Sequence, residues 1–383
     1  MDNQVHWPVF FCLVPFALSL LPLLLSRIRE RGPITVAEFM ELALYHPAHG
    51  YYAKAPQRSG QHGDFFTSVD VGPLFGELIA VQLAEMWIPL EAAGAQHFDL
   101  VEAGAGNGRL ARDILDAASS NHAAFYDRVR LTLVERSAAA RAAQVDTIGP
   151  HAGRLISSSD RLPKRVIGTI LANELLDAFP VHVVARRATG ICEIGVGERG
   201  GALVEIDMPL SDPALAKGVA LDIDARVEVG LAATDWMREA AASLERGFML
   251  LFDYGYDAGA APASVYPHGT LMAYRAHHAD PGDWLTDPGS TDLTAHVNLS
   301  AIREVATAAG LDTLGILDQT YFLLGLGLAE RLDSGQNRRS IAQRLAARTL
   351  IMPGGLGSTM KTMVFGKGVG RPALQGTSSG RLT

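Results

Sequence analysis

Residues 98–115, FDLVEAGAGNGRLARDIL, constrain the fold more than any other stretch of the chain. The apolar run FDLVEA reads as a buried parallel strand, and RLARDILDAA puts Leu110, Ile114 and Leu115 on one helical face. Between them Gly104, Ala105, Gly106 and Gly108 form a segment that must turn sharply from strand into helix. A turn poor in β-carbons lets a ligand approach the backbone, and the helix's unpaired N–H groups face that ligand. This order of elements is a nucleotide-type site in an α/β protein.

The spacing narrows the ligand. A dinucleotide fingerprint is G-x-G-x-x-G, whereas this turn is G-x-G-x-G and follows an acid, Glu102. A carboxylate there repels a pyrophosphate but can meet the ammonium of an amino-acid moiety. S-adenosylmethionine (SAM) has an amino-acid tail, a sulfonium and no phosphate. The next strand, RLTLV at 130–134, ends in Glu135, the position from which an acid takes both ribose hydroxyls in a doubly wound fold. The plain alternative for the glycines alone is a tight turn that binds nothing. Together with the two acids they point to SAM and away from a nicotinamide-linked oxidoreductase.

With 383 residues the chain holds one large domain with insertions or two modest ones. A net charge of −8 gives no footprint for nucleic acid. Two cysteines, Cys12 and Cys192, are too few for a disulfide framework, so a reducing compartment such as the cytoplasm is expected. Residues 7–25 carry no charge and precede SRIRER, which would keep the main domain cytoplasmic if the segment spans a bilayer. Pro8, Pro15 and Pro22 count against a span. A misassigned start or an apolar extension packed on the domain are the other readings.

Along the chain, ITVAEFMELALYHP reads as an amphipathic helix capped by Thr35, with Glu38 as its capping-box partner. A second helix is expected from Pro73 to Trp87 and strands at 154–157 and 166–172. A β-hairpin region at 181–206, a helix at 230–245 and a strand at 248–252 ending in Asp253 follow. Strands alternating with helices imply a doubly wound, mostly parallel sheet. The expected organisation is an apolar extension at 1–30, a helical cap at 31–95 and a SAM-binding core with a hairpin insertion at 96–254. A loop-rich substrate-side insertion (255–300), the end of the core sheet (301–367) and a disordered tail (368–383) complete it.

Ligands bind beyond the carboxyl ends of such strands. There ILANELLDAFPV delivers Asn173, Glu174 and Asp177. A helical turn after the strand would put both carboxylates on one face. Paired carboxylates suit a guanidinium, which they hold bidentately and from which they can take a proton. An N-cap and a solvated first-turn acid are the bland account. The segment Gly63–Ser68, with Asp64, Thr67 and Ser68, either closes over the cofactor or forms a simple turn. His277 and His278 are adjacent, and no cysteine or HExxH pattern supports a metal.

These segments, in this order, carry a family resemblance. AEFMELALYHPAHGYY, GDFFTS, FGELIA, VEAGAGNG, NELLDAFPV, FDYGY, GTLMAYRAH and DLTAHVN make the chain resemble the MidA family of SAM-dependent methyltransferases over residues 31–367. Mitochondrial complex I assembly-factor methyltransferases belong to that family. The resemblance implies a class I methyltransferase fold with a helical and loop cap. It also implies methyl transfer to a protein arginine, on a respiratory-complex subunit and in mitochondria for the eukaryotic members. Its cofactor residues fall on Glu102, Gly104, Gly106, Gly108 and Glu135. Its acceptor-side acids fall on Glu174 and Asp177, with Asp64, Thr67 and Ser68 nearby. The apolar N-terminus is no part of the family pattern, and the substrate of bacterial-type members does not follow from the fold.

Overall fold

A computed structural model describes residues 19–53, 67–217, 221–257, 266, 268–275, 278–280, 284–333, 338–352 and 356–378. Helix α1 (Leu20–Arg31) buries Leu20, Leu24 and Ile28, a single stripe at helical spacing. The short strand β1 (Ile34–Thr35) leads into α2 (Val36–Tyr45), where the Thr35 hydroxyl accepts the Glu38 N–H at 3.0 Å. The N-cap is therefore as expected, but the capping box is not completed. The Glu38 carboxylate turns instead to Arg27 and ties α2 to α1.

The next elements are α3 (Leu74–Ala92), β2 (Phe98–Ala103), α4 (Arg109–Asn121) and α5 (Ala123–Tyr126). They continue with β3 (Val129–Val134), α6 (Ala138–Ile148), β4 (Leu155–Ser159) and β5 (Val166–Asn173). Helix α3 outruns its expected end because Pro89 is accommodated inside it. It packs close to α4 at Gly76, where a Cβ would lie 2.6 Å from that of Asp113.

Strands β6 (His182–Arg187), β7 (Gly190–Arg199) and β8 (Ala202–Met208) form the expected hairpin region. A further strand, β9 (Arg226–Val229), pairs with β6. Helix α7 (Leu231–Ser243) and the long β10 (Leu244–Tyr256) return to the core. The insertion contains short strands β11 (Met272–Arg275), β12 (His278–Asp280), β13 (Asp292–Thr294) and β14 (Val297–Asn298). The helix Leu299–Ala308, β15 (Asp312–Asp318) and β16 (Met360–Lys367) complete the large sheet.

Among the described residues that sheet runs β15-β16-β10-β5-β2-β3-β4, with β14 beside the end of β10. Strands β4, β3, β2, β5 and β10 are parallel, and β16 enters antiparallel between β10 and β15. The alternation of side chains along β10 feeds both faces. Phe248, Leu250 and Phe252 join α3 and α4 in one apolar cluster, while Met249 and Leu251 join α7 and the helix Leu299–Ala308 in another. The second sheet is antiparallel, β1-β7-β6-β9 with β8 on β7, and shares a third cluster with α1 and α2.

One reading of the N-terminal segment is an apolar extension packed on the domain, and α1 packs in that way, whereas the C-terminal tail departs from expectation. Leu20–Leu25 of the apolar segment belong to α1, and of these Leu20 and Leu24 pack into the cap cluster while Leu23 stays exposed. Residues 7–18 lie outside the described residues. Among the described residues no helix is long and apolar enough to cross a membrane. Part of the expected disordered tail is ordered. The Gly376 N–H reaches Gln82 Oε1 at 3.1 Å and that of Gln375 reaches Glu85 at 2.9 Å, tying residues 375–376 to α3.

Candidate active site

A cavity of about 630 Å³ opens at the carboxyl ends of β2, β3, β4 and β5. Its floor is the glycine turn, in which Gly104, Gly106 and Gly108 have φ of 71°, 51° and 89°. These left-handed angles favour glycine at all three positions. At Gly104 an added Cβ would press on Leu175 at 3.0 Å, whereas at Gly106 it would meet nothing within 4 Å. Gly108 does not line the cavity. It starts α4 close against Leu133, where a Cβ would stand 3.3 Å from that side chain.

Two acids frame the turn. Glu135 accepts the Gly106 N–H at 2.9 Å and the Ser137 N–H at 2.8 Å, so it braces the turn as well as lining the cavity. Glu102 is 4% exposed, and its Oε2 has no hydrogen-bond partner. Burial pushes its carboxyl up to about 8, against the pull of a hydrogen bond from the Ala111 backbone. A buried, orphaned carboxyl oxygen facing a cavity is a polar atom awaiting a donor.

The end of β5 supplies Asn173 and Glu174 to the same cavity. Glu174 has a left-handed backbone (φ 50°), and its N–H donates to Phe252 O at 2.8 Å. Its Oε1 accepts from the Ser68 N–H at 3.1 Å and from Asn173 Nδ2 at 3.2 Å. Burial, followed by the neighbouring Asp177, lifts its carboxyl to about 8.

The helical turn expected after β5 does not form, which changes the part of Asp177. The Leu175 and Leu176 N–H groups go to Asp253 Oδ2 at 3.2 and 2.7 Å, so the chain bends away from a helix. Asp177 does not line the cavity. It is sealed behind the wall at 6% exposure, its Oδ1 has no partner, and burial and then Asp253 drive its carboxyl well up. It influences Glu174 through charge rather than by sharing a face with it.

Thr67 lines the cavity, whereas Ser68 is fully buried and joins its hydroxyl to Gln319 at 3.2 Å. Asp64 and His277 lie outside the described residues. Several lining residues were not singled out from sequence. Tyr45 and Tyr52 come from the cap, their hydroxyls fixed on Ala178 O and Asp292 Oδ1 at 2.8 and 3.0 Å. Arg136 lies over the Tyr45 ring at 4.1 Å and pairs with Glu41 at 2.6 Å. Trp236 and Glu239 of α7 and Arg109 of α4 complete the walls. Arg109 was the findable one, as the first residue after the glycine turn.

The donor set fits an adenosyl compound with an amino-acid tail. Glu135 and the open backbone at Gly106 suit ribose, and the orphaned Glu102 oxygen suits an ammonium. Comparisons with known proteins agree. Residues 78–317 match the family model described as "Putative S-adenosyl-L-methionine-dependent methyltransferase". The chain is 31% identical over 346 residues to the mitochondrial protein arginine methyltransferase NDUFAF7 of Bos taurus, covering 81% of this chain and 73% of that one. To the Homo sapiens protein of the same name it is 29% identical over 353 residues, covering 84% and 77%. A crystal structure of a "likely methyl transferase" from Burkholderia thailandensis bound to S-adenosyl-homocysteine is 33% identical. It superposes with a TM-score of 0.86 over 94% of this chain and 95% of that chain.

Proposed function

Because the chain belongs to the MidA family of SAM-dependent methyltransferases, we propose that it methylates arginine side chains of a protein substrate. The observation that carries this reading is Glu174, a partly buried carboxyl held at the end of β5 in the same cavity as the glycine turn. Glu102, Glu135 and the Gly104–Gly106 backbone would hold the cofactor. When bound, SAM supplies a methyl group already activated by its sulfonium.

The chain's own groups supply alignment and a base. A protonated guanidinium has no lone pair to offer, so the nitrogen that gains a methyl gives up one proton. Glu174 takes that proton. With its carboxyl near 8, it is matched to proton transfer near neutral pH. The Ser68 N–H and Asn173 Nδ2 fix the direction of its lone pairs, and Asn173 stands beside the acceptor. Asp177 keeps Glu174 basic from behind the wall. Tyr45 and Tyr52, stacked on each other at 5.5 Å, add an aromatic wall to the cavity. Most of the rate gain comes from alignment within the cavity.

The test is incubation of purified protein with methyl-labelled SAM and a lysate of its own host, followed by hydrolysis of the labelled product. Methylated arginine from the protein fraction is the expected result. Label confined to small molecules, or absent from every fraction, overturns the reading.

A further inference from the structure

We infer that Arg109 is the anchor for the α-carboxylate of the cofactor's amino-acid tail, so the site selects zwitterionic adenosyl thioethers over their decarboxylated analogues. The inference rests on the cofactor reading above and adds a residue and a selectivity to it.

Arg109 is the first residue of the 13-residue helix α4, directly after the glycine turn, and lines the cavity. Its side chain is 24% exposed and is held in place. One nitrogen donates to Asp70 Oδ1 at 2.7 Å and the other to Val69 O at 3.0 Å. A guanidinium has five N–H donors, so donors remain after these contacts. Asp70 is itself fixed, accepting the Thr67 N–H at 3.0 Å and its hydroxyl at 2.8 Å. The guanidinium is thus oriented before any ligand arrives, and orientation is what makes such a group a strong carboxylate partner.

A second, independent observation points to the same ligand. Glu102 precedes the same turn by two residues, and its buried Oε2 is without a partner in the same cavity. An orphaned acid and an oriented cation on either side of one glycine turn match an α-ammonium and an α-carboxylate on one carbon. The other cations lining the cavity belong elsewhere. Arg136 is occupied by Glu41 and Tyr45 on the β3 side, and Arg161 is exposed after β4.

The test is calorimetric binding of S-adenosylhomocysteine and of its decarboxylated analogue to wild type, Arg109→Gln and Asp70→Asn. Wild type is expected to prefer the carboxylate-bearing ligand by about tenfold or more, the worth of one charge-assisted pair. Arg109→Gln is expected to shrink that preference to within about threefold while leaving the affinity for the decarboxylated analogue nearly unchanged. Asp70→Asn puts an amide where the Thr67 N–H and hydroxyl need an acceptor, loosens the hold on Arg109 and is expected to narrow the preference, which carries the test if Arg109→Gln does not fold. Equal binding of both ligands by wild type, or a preference as wide as wild type's in Arg109→Gln or in Asp70→Asn, overturns the inference. Binding of neither ligand by wild type overturns the cofactor reading instead.

Discussion

In the large sheet the buried carboxylates Glu102 and Asp253 stand toward the carboxyl ends of β2 and β10, Glu102 lining the cavity and Asp253 holding the Leu175 and Leu176 N–H groups. The cap sheet carries them in its interior. Glu193 on β7 is fully buried and takes His182 Nδ1 at 2.8 Å and the Ser211 N–H at 2.7 Å. Glu228 on β9 takes the Thr270 N–H, the Thr270 hydroxyl and the Leu271 N–H at 2.9, 2.9 and 3.2 Å. The apolar strands therefore bring their turns to the cavity, while the cap holds the segment at Thr270–Leu271 to β9 through charge-assisted bonds. The two regions should fail separately, and by different routes.

The sharpest separation is expected at Glu174. Glu174→Gln should lower methyl transfer by about 10²–10⁴-fold, the usual weight of a positioned base, while calorimetry finds S-adenosylhomocysteine affinity within about threefold. An equal loss in both measurements would merge the cofactor and acceptor sides into one. Next comes the cap clamp. Glu228→Ala strands the buried Thr270 and Leu271 N–H groups and should cost about 3 kcal/mol in urea unfolding. Cofactor affinity of the folded fraction should stay at the wild-type value.

A smaller effect follows from the raised carboxyl of Glu102, whose value is about 8 against the ordinary 4.5. The folded state holds that proton more tightly, so the stability it contributes is complete below pH 4.5 and drains away as pH rises toward 8. Each pH unit in that window removes about 1.4 kcal/mol per such acid. Glu102→Gln should therefore gain about 2 kcal/mol on wild type between pH 6.5 and 8 in denaturant titrations. A flat difference would show that Glu102 is ionised throughout. Smallest, Gly104→Val sets a side chain in a left-handed turn against Leu175 and should weaken S-adenosylhomocysteine binding by about tenfold. The melting of the cap should not move.

The same contrast explains what could be read from sequence. The strand, turn and first turn of helix at 98–115 are written in a short-range pattern, so periodicity and glycine spacing were enough to find them. Parallel pairing of β2 with β3 and β5 then brings Glu102, Gly104, Gly106, Glu135, Asn173 and Glu174 to line one cavity. Asp177 was misplaced because the bend after β5 is set by Asp253, 77 residues from its partner Leu176. Tyr45 and Tyr52 escaped notice because their fixing partners, Ala178 and Asp292, are 133 and 240 residues away. The ordered tail was hidden likewise, since Gly376 meets Gln82 across 294 residues.

Strand β16, the last of the chain to form, lies inside the sheet rather than at its rim. During synthesis β10 must therefore wait beside an open slot until residue 367 has left the ribosome. β15, made about forty residues earlier, has no strand partner until then among the described residues. Nascent chains of this protein expose the β10 margin once residue 256 is made and the β15 margin once residue 318 is made, until β16 arrives, the circumstance in which holding chaperones bind. Loss of a few residues from β16 would leave that slot permanently open.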